Sequence, residues 1–191
     1  KEVNLLMEKK PLYTIGHGAR KEEEFLALLQ QYDISFLVDV RSSPYSKFNP
    51  HFNQINLEHL LEEHNIKYVF MGDSLGGRPN DDNCYNEERL VDYEIVKTKD
   101  FFKKGIERLK TAYNKDLNVA IMCSESKPSE CHRTKLIGRV LSAANIILQH
   151  IDEKGKVKDQ YTVILEMNNG VGEVDLFGNY INETSRKSYN K

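Results

Sequence analysis

The sequence predicts an α/β fold, a three-layer α/β/α sandwich around a mostly parallel sheet of about five strands with a C-terminal hairpin appendage. The first observation is that short apolar runs alternate with segments of helical period along the chain. Such alternation favours a parallel sheet that helices cover on both faces. The second observation is the length of 191 residues, which suits a single domain.

Strands and helices are predicted in strict alternation. The apolar runs that predict the strands are 12–15, 34–40, 67–71, 118–123 and 145–151. The segments with apolar residues on one helical face are 25–32, 57–64, most of 85–113, and 136–144. Asn56 is the expected N-cap of the second helix.

The C-terminal part of the chain has a different pattern. Two β-rich runs, 161–167 and 171–177, flank an Asn-Asn-Gly sequence at 168–170, which is typical of a hairpin turn. The polar tail from Asn179 is expected to be frayed. We therefore expect one α/β domain and one appendage, over residues 7–155 and 156–191.

Composition argues against several classes of protein. Lysine plus arginine number 27 against 29 aspartate plus glutamate, and a net charge of −2 does not support a nucleic-acid partner. No apolar run approaches the roughly 20 residues of a membrane-spanning helix, so no membrane partner is expected. The N-terminus shows no signal-peptide core, and three cysteines do not all pair, so we expect a cytoplasmic location. The sequence indicates no oligomeric state.

Polar side chains collect after the predicted strands. Because ligands bind beyond the carboxyl ends of strands in an open parallel sheet, we expect these side chains to meet at one edge. In chain order they are His17; Asp39, Arg41 and Ser42; Arg78; and Cys123, Glu125, Cys131, His132 and Arg133.

The segment 123–133 carries the most chemistry. Ser129 is a suitable N-cap, which would place Cys131 and His132 in the first turn of a helix, where backbone N–H groups stabilise an anion or a thiolate. We expect Arg41, Ser42, Arg78 and Arg133 to bind an anion. We expect Glu125 or Asp39, with His17 as the alternative, to transfer a proton, and Cys123 or Cys131 to be the nucleophile of any covalent reaction.

A metal site is the alternative use of the same side chains. Cys123, Cys131, His132 and His17 offer thiolate and imidazole ligands. Adjacent residues on a helix point about 100° apart, however, and no C-x-x-C pair is present. No cofactor is therefore predicted, and no metal ligands are assigned.

Several sequence blocks occur in the order that a known family shows: YTIGHG at 13–18, LVDVRSSP at 37–44, LGGR at 75–78, MCSE at 122–125 and CHR at 131–133. With them the chain resembles the prokaryotic family called Domain of Unknown Function 488, over about residues 12–151. The resemblance implies a compact cytoplasmic α/β domain and no established reaction. It includes the polar residues named above, except Ser42, among the family's characteristic positions.

These observations lead to two functional hypotheses. The first is an enzyme that acts on a phosphorylated or anionic small molecule, a nucleotide or a nucleic-acid end. The second is a non-enzymatic module that binds an anion or nucleic acid, or a thiol redox or metal sensor, with Cys123 and Cys131 as a reversible pair. Tyr45 and Phe48 are candidates for an aromatic wall beside a ring, although packing is the favoured explanation of the two.

Overall fold

A computed structural model of the chain describes residues 9–170, 172 and 184–189. Within these residues six strands form one sheet: β1 Leu12–Gly16, β2 Phe36–Asp39, β3 Lys67–Phe70, β4 Val119–Cys123, β5 Leu148–Ile151 and β6 Val157–Asp159. Their order is β3-β2-β4-β1-β5-β6, and β6 alone is antiparallel to its neighbour. The predicted α/β fold with a mostly parallel sheet is confirmed, with one strand more than expected.

Helices cover both faces of the sheet. They are α1 Glu22–Gln31, α2 Gln54–Glu63, α3 Gly72–Leu75, α4 Tyr93–Thr98, α5 Asp100–Asn114, a π-helix Arg133–Gly138, α6 Arg139–Ala143 and α7 Gln160–Met167. One apolar core contains side chains of α1 and α2, and the other contains side chains of α5, the π-helix and α6. Within the described ranges, every helix is too short or too polar to cross a membrane.

Strand β4 contributes to both cores. Val119, Ile121 and Cys123 belong to the core on the α5 side, whereas Ala120 and Met122 belong to the core on the α1 side. This follows from the alternation of side chains along a strand. Cys123 therefore ends a fully buried strand, on the face against which the π-helix packs.

The C-terminal hairpin is not formed by the predicted strands. Strands β5 and β6 form it, whereas 161–167 lie in α7. The Asp159 side chain caps that helix by accepting a hydrogen bond from the Thr162 N–H at 2.7 Å, and Ile164 is fully buried. The cap and the burial of one helical face outweigh the β propensity of this run. The second predicted strand, 171–177, falls outside the described residues except at 172.

Three other boundaries differ from the predictions. Asn53, not Asn56, precedes α2. The helical prediction was wrong for the start of 85–113, because Tyr85 pairs with Val91 in an antiparallel bridge and α4 begins only at Tyr93. The predicted strand 145–151 begins at residue 148.

Candidate functional site

The loops at the carboxyl ends of the parallel strands border a cavity of about 340 Å³. The loops after β1, β2, α3 and β4 contribute to its wall, together with the residue before the π-helix and the stretch 184–189. The lining residues are His17, Arg41, Ser42, Ser43, Tyr45, Ser46, Gly77, Arg78, Cys123, Ser124, Glu125, His132 and Tyr189. The fold thus brings together polar side chains that lie far apart in the sequence.

Arg41 is held in place by a buried carboxylate. Its Nε donates to Asp39 Oδ1 at 2.9 Å and its Nη2 donates to Oδ2 at 2.6 Å, which fixes the plane of the guanidinium. The Tyr68 hydroxyl donates to the same Oδ2 at 2.8 Å. Burial and the Asp39 charge raise the pKa of Tyr68, so this hydroxyl stays protonated. Asp39 is fully buried and positions Arg41 from behind the cavity wall.

His17 is a neutral imidazole of defined tautomer. Its Nδ1 lies 2.9 Å from the Gly18 carbonyl oxygen, which only accepts, so Nδ1 carries the proton. Its Nε2 then accepts a hydrogen bond from Arg41 Nη1 at 3.3 Å. Burial and the nearby Arg41 charge lower the pKa of His17 to about 4. At neutral pH the ring accepts a hydrogen bond from Arg41 and carries no charge.

Arg78 brings a second cation to the cavity wall. The side chain is exposed, and its guanidinium carbon lies 4.2 Å from the ring centroid of Tyr189. The Ser42 hydroxyl accepts a hydrogen bond from the Arg78 backbone N–H at 2.8 Å, which joins the loops after β2 and α3. Arg41 and Arg78 are the two arginines on the cavity wall.

Arg133 lies behind the cavity and holds the loop after β4. Its Nη1 donates to the Glu125 carbonyl oxygen at 2.8 Å and its Nη2 to that of Ser126 at 3.0 Å. Burial lowers the pKa of this guanidinium to about 9, so it remains charged at neutral pH. Arg133 is fully buried and is absent from the cavity wall. Its guanidinium therefore stabilises the loop after β4 instead of facing the cavity.

The buried Arg133 guanidinium contacts the sulfur of Cys123. Nη1 of Arg133 lies 3.5 Å from Cys123 Sγ. Among the described residues, no ion pair joins Arg133 to a carboxylate. A buried cation requires a nearby negative charge or strong hydrogen bonds. The carbonyl oxygens of Glu125 and Ser126 supply hydrogen bonds of this kind to Arg133.

Cys131 and His132 converge because Cys131 is not helical, contrary to the prediction. Cys131 is extended, with φ −117° and ψ 146°, and the π-helix begins only at Arg133. Cys131 Sγ lies 3.6 Å from His132 Nδ1. His132 Nε2 lies 3.1 Å from the Leu75 carbonyl oxygen, so it carries the proton and the Nδ1 lone pair faces the sulfur. Burial lowers the pKa of His132, which favours this neutral form.

The backbone N–H groups expected to bind an anion here are used within the chain. The Cys131 N–H donates to the Pro128 carbonyl oxygen at 3.2 Å, and the Thr134 N–H donates to the Cys131 carbonyl oxygen at 3.1 Å. The Arg133 N–H lies 3.4 Å from Cys131 Sγ. The N–H groups of Cys131, Arg133 and Thr134 therefore all have partners within the chain.

Two sulfur atoms and one ring nitrogen form a compact cluster. The Sγ atoms of Cys123 and Cys131 are in contact, and the ligand atoms of Cys123, Cys131 and His132 all lie within 4.8 Å of one another. The Cys123 and Cys131 Cα atoms lie 7.7 Å apart. Disulfides usually have Cα separations of about 4.4–6.8 Å. The two sulfurs are therefore paired as in a disulfide, but their Cα atoms are farther apart than disulfides usually allow.

Glu125 is the carboxylate closest to the cluster on the wall. Its Oε2 lies 3.4 Å from Cys123 Sγ and 3.2 Å from Ser124 Oγ. The side chain is half-buried, since the loop after β4 turns it toward the cavity. Glu125 thus brings a carboxylate group next to the sulfur of Cys123.

The residues predicted from the sequence divide into two groups. Those on the cavity wall are His17, Arg41, Ser42, Arg78, Cys123, Glu125 and His132. Asp39, Cys131 and Arg133 lie behind the wall, where they contact Arg41, Cys123 and the loop after β4. Tyr45 lies on the wall and is 69% exposed, whereas Phe48, the other aromatic candidate, is not a wall residue.

Sequence reasoning missed the aromatic residue that covers Arg78. Tyr189 lies in the tail that was predicted to be frayed from Asn179. In the described part of that tail, the Ser185 N–H donates to the Val91 carbonyl oxygen at 3.0 Å and the Tyr189 N–H to that of Arg89 at 2.9 Å. The sequence gives no sign of these contacts, because the tail is polar and has no periodicity.

Comparison with known proteins identifies the family. A family described as Domain of unknown function DUF488 matches residues 21–140, which is more than half of the chain. The chain is a member of this family, as its sequence blocks indicated. The matched range includes Arg41, Arg78 and the 123–133 segment but not His17. No curated protein and no solved structure matches the chain.

Proposed function

We propose that this chain is an enzyme that acts on a phosphorylated or otherwise anionic small molecule, with a nucleotide as one example of the class. The observation that carries the proposal is that two arginines and a sulfur–carboxylate pair line the same cavity. Arg41 and Arg78 bind the anion. Cys123 and Glu125 lie beside it, and the chemistry takes place there.

The roles follow from the contacts of each side chain. Asp39 fixes the orientation of the Arg41 guanidinium, so Arg41 is preorganised to bind an anion. Arg78 is exposed at the rim of the cavity, where it can contact the ligand. One face of its guanidinium packs on the Tyr189 ring. Glu125 Oε2, 3.4 Å from Cys123 Sγ, exchanges a proton with the group that reacts there.

The size of the cavity favours a small ligand over a polymer. About 340 Å³ is at the small end of the range of roughly 300–1,000 Å³ that small-molecule sites occupy. The aromatic rings of Tyr45 and Tyr189 on the wall offer faces for a ring-bearing ligand. A free thiol requires reducing conditions, so we place the enzyme in the cytoplasm.

Alkylation tests whether the cavity attracts anions to Cys123. Reduced, metal-free protein is treated with iodoacetate, an anion, or iodoacetamide, its neutral analogue, and the modified cysteines are mapped by mass spectrometry. We expect the ratio of the iodoacetate rate to the iodoacetamide rate at Cys123 to fall in Arg78→Gln. Arg108→Gln, on the exposed side of α5, is the matched control and leaves the ratio unchanged. An equal ratio in all three proteins contradicts the anion site.

A turnover screen tests whether the protein is an enzyme. Phosphate monoesters and nucleotides are incubated with the wild type, Arg78→Gln and Cys123→Ser, and products are followed by chromatography. We expect turnover of at least one member of the panel, lost in both variants and retained in Arg108→Gln. Tight binding without turnover across the panel would instead support the non-enzymatic anion-binding module.

A further inference from the structure

The sulfur–imidazole cluster beside the cavity has the composition of a transition-metal site. It consists of Cys123 Sγ, Cys131 Sγ and His132 Nδ1, whose mutual distances do not exceed 4.8 Å. Two ligands of one tetrahedral Zn²⁺ lie about 3.5–3.8 Å apart, as Zn–S bonds of about 2.3 Å and Zn–N bonds of about 2.0–2.1 Å require. The 3.6 Å separation of Cys131 Sγ and His132 Nδ1 already has this value.

His132 is prepared to be a ligand. Its Nε2–H donates to the Leu75 carbonyl oxygen at 3.1 Å, which leaves the Nδ1 lone pair for the cluster. Metal-binding histidines commonly donate their second nitrogen to a backbone carbonyl in this manner. Gly77 lies against this nitrogen, since a Cβ there would lie 2.9 Å from Nδ1. The absence of a side chain at Gly77 therefore keeps the Nδ1 face open.

Two observations favour a metal over a disulfide between Cys123 and Cys131. The Cα separation of 7.7 Å exceeds the roughly 7 Å beyond which two cysteines are bridged only after the backbone moves. The buried cation of Arg133 lies 3.5 Å from Cys123 Sγ, and the Arg133 N–H lies 3.4 Å from Cys131 Sγ. Both donors stabilise thiolates, whereas a disulfide carries no negative charge for Arg133 to pair with.

We propose that Cys123, Cys131 and His132 bind a Zn²⁺-class divalent transition metal, with a fourth coordination position open to the cavity. Binding forms two metal–thiolate bonds and one metal–imidazole bond, and any proton still carried by either sulfur is released to solvent. Cys123 and His132 line the cavity while Cys131 lies behind it, so the open position faces Glu125. Three protein ligands with an open fourth position are the arrangement of catalytic zinc sites.

The metal site also refines the proposed function. Only the role of the open coordination position rests on that function. With the metal bound, both sulfurs are ligands, and the fourth position is where a water molecule or an oxygen of the anion binds. Glu125 is then the group placed to accept a proton from that water. The metal site itself depends on the three ligands alone, and it is tested without any substrate.

Cobalt substitution tests the proposal. Reduced protein is titrated with Co²⁺ under anaerobic conditions, and thiolate-to-cobalt charge transfer and the visible d–d bands are recorded. We expect one Co²⁺ per chain and tetrahedral bands that Zn²⁺ displaces. The charge-transfer band is reduced by half in Cys123→Ser or Cys131→Ser, and the d–d bands change in His132→Gln. Cys84→Ala, which alters the buried cysteine of the apolar core, leaves the spectrum unchanged.

A second measurement needs no variant and covers the case in which a ligand variant does not fold. One equivalent of Zn²⁺ is expected to protect Cys123 and Cys131 of the wild type from iodoacetamide, and a chelator removes the protection. Absence of the cobalt charge-transfer band, its persistence at full intensity in Cys131→Ser, or alkylation unaffected by Zn²⁺ overturns the proposal. Arg78→Gln retains the cobalt spectrum, so failure of the metal site and failure of the anion site are distinguished.

Discussion

The Arg41 guanidinium donates hydrogen bonds to both carboxylate oxygens of Asp39, with Nη2 2.6 Å from Oδ2. Its third nitrogen, Nη1, contacts His17 on the cavity side. Both residues of the pair are buried. A strand residue and the residue two positions on share a face, and here the pairing turns the Arg41 guanidinium, just after β2, toward the cavity. The carboxylate acts as a positioning residue for the arginine.

Replacing Asp39 with asparagine is expected to destabilise the fold and weaken anion binding. Removing one partner of a buried ion pair leaves an uncompensated charge, at a loss of about 3–5 kcal/mol in the free energy of unfolding. Urea unfolding measures this loss. The control, Tyr68→Phe, removes only the hydroxyl hydrogen bond to Asp39, with an expected loss of about 1.5–3 kcal/mol. A loss in Asp39→Asn no larger than that in Tyr68→Phe would count against the positioning role.

Acidification is expected to destabilise the protein through two buried histidines. Burial is the main cause that lowers the pKa of His17 and of His150 to about 4, below the usual 6.5. Between pH 6.5 and pH 4 the unfolded chain therefore binds more protons than the folded chain, so the free energy of unfolding falls as the pH falls. Proton NMR of the imidazole Cε1–H groups measures both midpoints. Midpoints near the usual 6.5 for both histidines are incompatible with this prediction.

Replacing Tyr189 with leucine is expected to weaken anion binding without unfolding the chain. The ring lies 4.2 Å from the Arg78 guanidinium carbon, and an exposed cation–π contact contributes about 0.5–1 kcal/mol. Loss of the contact frees Arg78 and raises the Kd for a bound phosphate about 2- to 5-fold. Calorimetric titration measures the Kd. The control is Tyr161→Leu, at an exposed position of α7. Equal affinities in the two variants would mean that Tyr189 plays no part in the site.

Gly16→Ala is expected to disrupt the loop that carries Glu125. A Cβ at Gly16, the last residue of β1, would overlap the Glu125 carbonyl oxygen and crowd the Arg133 side chain. Overpacking of this kind destabilises by about 1–3 kcal/mol, and it also displaces the Cys123 loop. Thermal unfolding and the alkylation rate at Cys123 measure the two effects. Gly172→Ala is the control, since a Cβ there meets no atom of the described residues within 4 Å. Equal stability in the two variants would contradict the close approach.

Strong periodicity explains which parts of the fold were predictable. The apolar runs around residues 36–39 and 119–123 gave the central strands, because fully buried parallel strands read as continuous apolar stretches. The stretch 161–167 was mistaken for a strand, since Val163 and Ile164 have high β propensity while the deciding cap at Asp159 lies outside it. Propensity is a weak signal wherever burial selects the structure.

The site was predictable to the extent that strand ends determine position. His17, Arg41 and Cys123 reach the cavity because each follows a parallel strand whose carboxyl end lies at the same edge. The convergence of Cys131 with His132 was not predictable, because it depends on Cys131 being extended rather than helical. The covering of Arg78 by Tyr189 joins residues far apart in the chain, which no local pattern encodes.

A crystal structure of the reduced protein grown with tungstate tests the central claim most directly, because the anomalous signal of tungsten locates the anion. We expect tungstate in the cavity, within hydrogen-bond distance of the Arg41 and Arg78 guanidinium groups and next to Cys123. Tungstate bound elsewhere on the protein, with this cavity holding only water, would contradict it.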